Sequence, residues 1–144
     1  MLVDDEPQAW RYLQGLIEGM ERFVLVGEAE DGAEALSRIR VLDPDLVITD
    51  VKMPVMDGID LAHTLVREHP LIPLLVVSAY DDFEYVEELL HTGVVHYLLK
   101  PVNPERMRTT LAEMAASLLE LRRRRQADER RGPSSGGGEG CSFP

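Results

Sequence analysis

A single cysteine, Cys141, stands among the 144 residues, so no intramolecular disulfide is possible and a reducing cytoplasm is the expected setting. No window approaches the ~18 uninterrupted apolar residues of a membrane span. Met1-Leu2-Val3-Asp4-Asp5-Glu6 has neither the basic start nor the long apolar stretch of an export signal. The expectation is a soluble protein with no membrane partner. Positive charge is scarce: 15 Lys plus Arg face 26 Asp plus Glu, and the formal charge of −11 argues against nucleic acid or an anionic membrane as partner of the whole chain. The deficit is uneven. Six Arg between residues 122 and 131 outweigh Asp128 and Glu129; with that plus 4 and the minus 1 of Glu139 set aside, residues 1–121 carry −14. No G-x-G-x-x-G or P-loop occurs, which disfavours nucleotide and flavin carriers. His63, His69, His91 and His96 lack the i, i+4 spacing that would suggest zinc.

What is present fits about one domain, on a prior of ~100–200 residues each, and 44% apolar content fills one modest core. Two kinds of hydrophobic period alternate along it. Short β-branched runs cover residues 23–26, 46–49, 71–78 and 94–99, with a clipped Leu2-Val3 at the start. Between them lie helical patterns. Trp10, Leu13, Leu16, Ile17 and Met20 share one face after Pro7, a residue suited to a first helical turn. Asp31 with Glu34 resembles a capping box, Asp57-Gly58 opens a helix with Leu61, Leu65 and Val66, and Asp81 or Asp82 suits a cap for the helix from Phe83. Asn103-Pro104 starts a last helix striped by Met107, Leu111, Met114, Leu118 and Leu121.

Five strands alternating with five helices over short connections predict right-handed βαβ units and a parallel sheet covered on both faces, an α/β doubly wound fold of (βα)5 type. The domain is expected over residues 1–121. A basic helix end follows from Arg122, and from about Gln126 the chain runs out of apolar residues, so a disordered Gly/Ser-rich tail or cut linker is expected up to residue 144.

In such a sheet, functional groups gather at the carboxyl ends of the strands. That edge receives Asp4 and Asp5 after the first strand, Asp50 after the third, Ser78 after the fourth and Lys100 after the fifth. Three carboxylates brought together repel unless a cation compensates, and all-oxygen ligands suit a hard ion such as Mg²⁺. Metal storage alone needs neither an ammonium nor a hydroxyl. Lys100 and Ser78 are suited to phosphoryl oxygens, and an Asp carboxylate can attack phosphorus to form an acyl phosphate. Asp50 is the best placed, because Val51-Lys52-Met53-Pro54 turns the chain at once and offers the Lys52 carbonyl to the metal. Taken singly, each of these residues has an ordinary reading: helix-capping acids, a strand-end acid, a surface lysine, a helix-start serine. Their joint arrangement at successive strand ends favours chemistry.

Val3-Asp4-Asp5-Glu6-Pro7, Asp50-Val51-Lys52-Met53-Pro54 with Met56-Asp57-Gly58, Ser78-Ala79, and Tyr97-Leu98-Leu99-Lys100-Pro101 together resemble the receiver domain of two-component response regulators. The resemblance covers roughly residues 1–121. It implies a flavodoxin-like sheet in strand order 2-1-3-4-5. It implies Asp50 as phosphoacceptor, Asp5 and Asp50 as Mg²⁺ ligands with Asp4 acting through water, Ser78 and Lys100 on the phosphoryl group, and a cis Lys100-Pro101 bond. The donor it implies is a phosphohistidine on a sensor histidine kinase. Ser78 and Tyr97 become a switch that alters the surface of the fourth helix, fifth strand and fifth helix, the usual homodimer or partner face of the family. Tyr97 has a competing reading as plain packing. Lys52 and Tyr80, two residues beyond the acceptor and the hydroxyl, are expected to tune dephosphorylation.

Tyr80-Asp81-Asp82-Phe83-Glu84-Tyr85 resembles receivers joined to AraC-type DNA-binding domains. No such domain is present here, so contact with DNA is expected only through an output domain outside this chain, which is a fragment of a transcriptional regulator or a stand-alone receiver. Family members have several more residues in the first strand, so Leu2-Val3 leaves that central strand short. Two other classes compete with a phosphorylated switch that is not an enzyme beyond slow self-dephosphorylation. A Mg²⁺-dependent phosphatase with an Asp nucleophile usually carries a second Asp two residues on, where this chain has Lys52. An interaction module that works without phosphorylation would not need the intact set of acids, hydroxyl and lysine.

Overall fold

The computed structural model describes residues 1–79 and 83–131. Strands and helices alternate: β1 (Leu2–Val3), α1 (Pro7–Glu18), β2 (Glu28–Ala29), α2 (Gly32–Leu42), β3 (Val47–Asp50), α3 (Gly58–Glu68), β4 (Leu74–Ser78), α4 (Phe83–Leu90), β5 (Val95–Leu99) and α5 (Pro104–Arg131). All four strand pairs are parallel, in the order β2-β1-β3-β4-β5.

Side chains alternate across each strand, and that period of two sorts the core. Val3, Val47, Leu74 and Val76 enter one apolar cluster with Ile39 of α2, Leu61 and Leu65 of α3 and Val86 of α4. Leu2, Ile48, Leu75 and Val77 enter the other with Leu13 and Ile17 of α1 and Met107, Leu111 and Met114 of α5. Both faces are thus covered, and the apolar strand runs are explained. The helix starts follow local chemistry. The Asp31 carboxylate accepts the Glu34 N–H at 2.8 Å, Asp57 accepts that of Asp60 at 2.8 Å, and Asn103 accepts that of Glu105 at 2.7 Å.

Three boundaries differ from the sequence reading by three residues or more. The run at residues 23–26 is not a strand; β2 is Glu28–Ala29, because β1 offers only Leu2 and Val3, which are registered with Glu28 and Ala29. A β-prone run without a ladder partner stays outside the sheet. β4 begins at Leu74 rather than residue 71, since Pro73 brings no N–H to the ladder. α5 continues past Gln126 to Arg131, where Arg124–Glu120 and Arg125–Glu129 pairs at i, i+4 support the polar turns. Arg122 also pairs with Asp45. The cap expected from Asp81 or Asp82 and the tail from residue 132 lie outside the described residues. Among the described residues, no helix is long and apolar enough to cross a membrane.

Candidate functional site

Parallel strands deliver their carboxyl ends to one edge of the sheet. β1 ends at Val3, so Asp4 and Asp5 leave the sheet there; Asp50 and Ser78 are the last residues of β3 and β4, and Lys100 is the first after β5. Register aligns them: Asp50 is paired with Val77 and Ser78 with Leu99, and the Lys100 N–H donates to the Ser78 carbonyl at 2.7 Å. The Lys100-Pro101 peptide is cis.

One carboxylate oxygen each from Asp4, Asp5 and Asp50 lies within 4.8 Å of the others. Lys100 Nζ stands 3.4 Å from Asp50 Oδ1 and 3.9 Å from Asp4 Oδ2. Asp4 and Asp50 are only 4% and 7% exposed, so these charges meet in a poorly hydrated place where they interact strongly. Burial pushes the Asp4 carboxyl above its ordinary value of 3.8; the Glu6 N–H opposes this, Asp50 adds repulsion, Lys100 relieves some of it and Asp5 adds the rest. Asp4 Oδ1 accepts the Glu6 N–H at 2.9 Å, while its buried Oδ2 has no hydrogen-bond donor among the described residues. Three carboxylates against one ammonium leave a surplus of negative charge. An undersupplied carboxylate oxygen beside two more is the donor set a hard divalent cation satisfies.

Backbone around Asp50 is held from below and beside. The buried Thr49 hydroxyl donates to the Asp50 carbonyl at 2.8 Å, and the Gly58 N–H donates to the Val51 carbonyl at 2.7 Å. Gly58 comes so close that a Cβ there would meet the Asp50 carbonyl oxygen at 1.9 Å. Sequence reading missed both roles: Thr49 reads as a strand residue and Gly58 as a helix start, and neither pattern signals the hydroxyl's bond to the next carbonyl or the glycine's tertiary approach. Lys52 follows on the surface, and Ser78 is buried. Tyr97 is half-buried on β5, with the Phe83 ring of α4 against it, a neighbour that no residue spacing signals. Tyr80 lies outside the described residues. The structure therefore brings Asp4, Asp5, Asp50 and Lys100 into one cluster, sets Ser78 at the next strand end, and holds Tyr97 two residues earlier on β5 than Ser78's partner Leu99.

A cleft of about 340 Å³ opens beside the cluster, lined by Asp4, Asp5, Trp10, Arg11 and Arg38 among others, so the cluster borders solvent on the side of the half-buried Asp5.

Residues 1–112 match the response regulator receiver domain family. Over 119 residues the chain is 40% identical to the uncharacterized transcriptional regulatory protein YesN of Bacillus subtilis, covering 82% of this chain and 32% of that protein. It is 37% identical over 121 residues to the transcriptional regulatory protein HptR of Staphylococcus aureus, covering 83% and 47% respectively. The chain thus spans less than half the length of these curated relatives. A crystal structure of a two component transcriptional regulator AraC from Clostridium phytofermentans superposes with a TM-score of 0.72 at 28% identity, over 83% of this chain and 93% of that one.

Proposed function

The chain belongs to the response regulator receiver domain family, and from that premise we propose that Asp50 accepts a phosphoryl group and that the fold reports its arrival. The observation that carries this reading is the meeting of Asp50 with Lys100 at 3.4 Å inside a ring of acids that shares the edge where all the strands end. A carboxylate oxygen of Asp50 attacks phosphorus, the bond from phosphorus to the donor breaks, and the acyl phosphate that forms keeps the transferred group. The donor is a phosphohistidine of a sensor histidine kinase in the cytoplasm. Lys100 meets the charge that grows on the phosphoryl oxygens, and the Ser78 hydroxyl donates to another of them.

Asp5 and Asp50, the Lys52 carbonyl and, through water, Asp4 would hold Mg²⁺. When bound, the ion supplies positive charge that lets an anionic donor approach an acidic site. Lys52 on the surface and Tyr80 set how fast water reaches the acyl phosphate, so the chain turns over slowly or not at all. Arrival of about −1.5 to −2 charge units draws Ser78 toward the new group, and Tyr97 turns into the space it leaves. The surface of α4, β5 and α5 then changes for a partner or a second copy. Gene control follows through an output domain outside this chain, as the transcriptional relatives suggest.

Incubation with acetyl phosphate and Mg²⁺, followed by intact mass, tests the assignment. The parent gains the mass of one phosphoryl group, while Asp50→Ala and the parent kept in EDTA do not. A gain that persists in Asp50→Ala, or its absence from a folded parent that binds Mg²⁺, overturns the reading.

A further inference from the structure

Tyr12 lies on α1, off the stripe that this helix buries, and is half exposed. Its hydroxyl is nevertheless held. It donates to the Val102 carbonyl at 2.8 Å, across 90 positions of sequence. Val102 stands two residues beyond Lys100, in the turn of residues 100–103 that joins β5 to α5. That turn is tied at its start by the Lys100 N–H on the Ser78 carbonyl at 2.7 Å, and at its end by the Asn103 side chain on the first turn of α5. Tyr12 ties the middle to a third element. Val102 sinks its side chain into the α1 and α5 cluster, and Pro101 has a fixed φ, so a hold on Val102 is passed back to Lys100.

Lys100 needs such a hold. Lysine carries its charge on a long flexible stem, and two acids compete for it here: Nζ stands 3.4 Å from Asp50 Oδ1 and 3.9 Å from Asp4 Oδ2. A small movement of the turn reverses that preference. We propose that Tyr12 is a positioning residue for Lys100: its hydroxyl, through the Val102 carbonyl, fixes the turn after β5 and keeps the ammonium on Asp50 rather than Asp4. The consequence for phosphoryl uptake rests on the reading of Asp50 as acceptor; the consequence for the place of the ammonium does not.

Lys52 and Lys100 are the only lysines, so carbon-13 at lysine Cε gives the full chain two signals, and Lys52→Arg identifies that of Lys100. In the parent, Asp50→Asn shifts the Lys100 signal. In Tyr12→Phe, which loses one oxygen and keeps the ring, the same replacement shifts it by less than about half as much. Phosphoryl uptake from acetyl phosphate with Mg²⁺ slows about threefold to tenfold in Tyr12→Phe, the range that one hydrogen bond supports, and less than about twofold when Tyr12→Phe is added to Lys100→Ala. A side chain that merely braces the fold slows both backgrounds alike. An equal Asp50→Asn shift in parent and Tyr12→Phe overturns the proposal, as does unchanged uptake in Tyr12→Phe or equal slowing in the two backgrounds. A folded, Mg²⁺-binding parent that takes up no phosphoryl group overturns the acceptor reading instead, and the Lys100 signal then decides the role of Tyr12 by itself.

Discussion

The rings of Phe83 and Tyr97 pack edge to face, with centroids 6.0 Å apart and planes at 78°. Phe83 opens α4 and Tyr97 lies on β5 opposite Val76, two residues before the strand end that holds Ser78. The pair joins α4 to the strand beside the acid cluster, and such a pair is worth about 0.5–1.5 kcal/mol beyond its buried area. On the proposed reading, a phosphoryl group on Asp50 that recruits Ser78 would have a short route to α4, through the seam that this contact holds.

From that seam follows a test of Tyr97 as switch rather than packing. Tyr97→Ala is expected to accept a phosphoryl group from acetyl phosphate to the same extent as the parent. In the parent, phosphorylation changes hydrogen exchange along α4 and β5; in the variant that change falls at least about threefold while the mass gain stays. An equal α4 response in both proteins assigns Tyr97 to packing alone.

Asp4 gives a pH prediction whose sign follows from its raised carboxyl. The folded chain holds the Asp4 proton more tightly than the unfolded chain does, so Asp4 favours folding below about its ordinary value of 3.8 and loses that contribution as pH rises through the higher folded value. At neutral pH without metal, its buried charge opposes folding. Asp4→Asn is expected to stabilise the metal-free protein at pH 7 by about 0.5–2 kcal/mol in urea unfolding, with the advantage vanishing toward pH 3. Saturating Mg²⁺ narrows the gap, because the ion stabilises the parent more than the variant. A variant less stable than the metal-free parent at pH 7 contradicts this account of the site.

The placement of the acids and lysine is legible in the sequence because a parallel sheet has one edge for all its strand ends, and strand ends are marked where apolar runs stop at Asp4, Asp50, Ser78 and Lys100. Helix starts are legible for a similar reason: Asp31, Asp57 and Asn103 act within three residues of themselves. Residues 23–26 mislead because strand propensity is local, whereas a strand exists only with a neighbour, and Leu2–Val3 reaches no further than Glu28 and Ala29. Beyond Gln126 the missing apolar residues signal disorder, yet Arg125 and Glu129 sit one turn apart and extend the helix. The Thr49 bond to the next residue's carbonyl leaves no trace in spacing because it depends on a side-chain rotamer, and Phe83 against Tyr97 leaves none because that contact is set by packing between α4 and β5.

Two glycines separate close approach from mere helix propensity. Gly15 lies in α1 on the surface, with nothing within 4 Å of where a Cβ would stand. Gly15→Ala removes backbone freedom from the unfolded chain and should stabilise by about 0.5–1 kcal/mol. Gly58 also begins a helix, but its Cβ would stand 1.9 Å from the Asp50 carbonyl oxygen and 2.9 Å from the carbonyl carbon. Backbone cannot swing aside as a side-chain end can, so the propensity gain is outweighed and Gly58→Ala should destabilise by about 1–3 kcal/mol. The same shift moves the peptide that carries Asp50 away from Lys100 Nζ, now 3.4 Å from its Oδ1. Phosphoryl uptake from acetyl phosphate should then slow at least about tenfold in Gly58→Ala at a temperature where the variant is still folded, and remain unchanged in Gly15→Ala. Equal uptake rates in the two variants would show that the approach of Gly58 shapes the fold without positioning the acceptor.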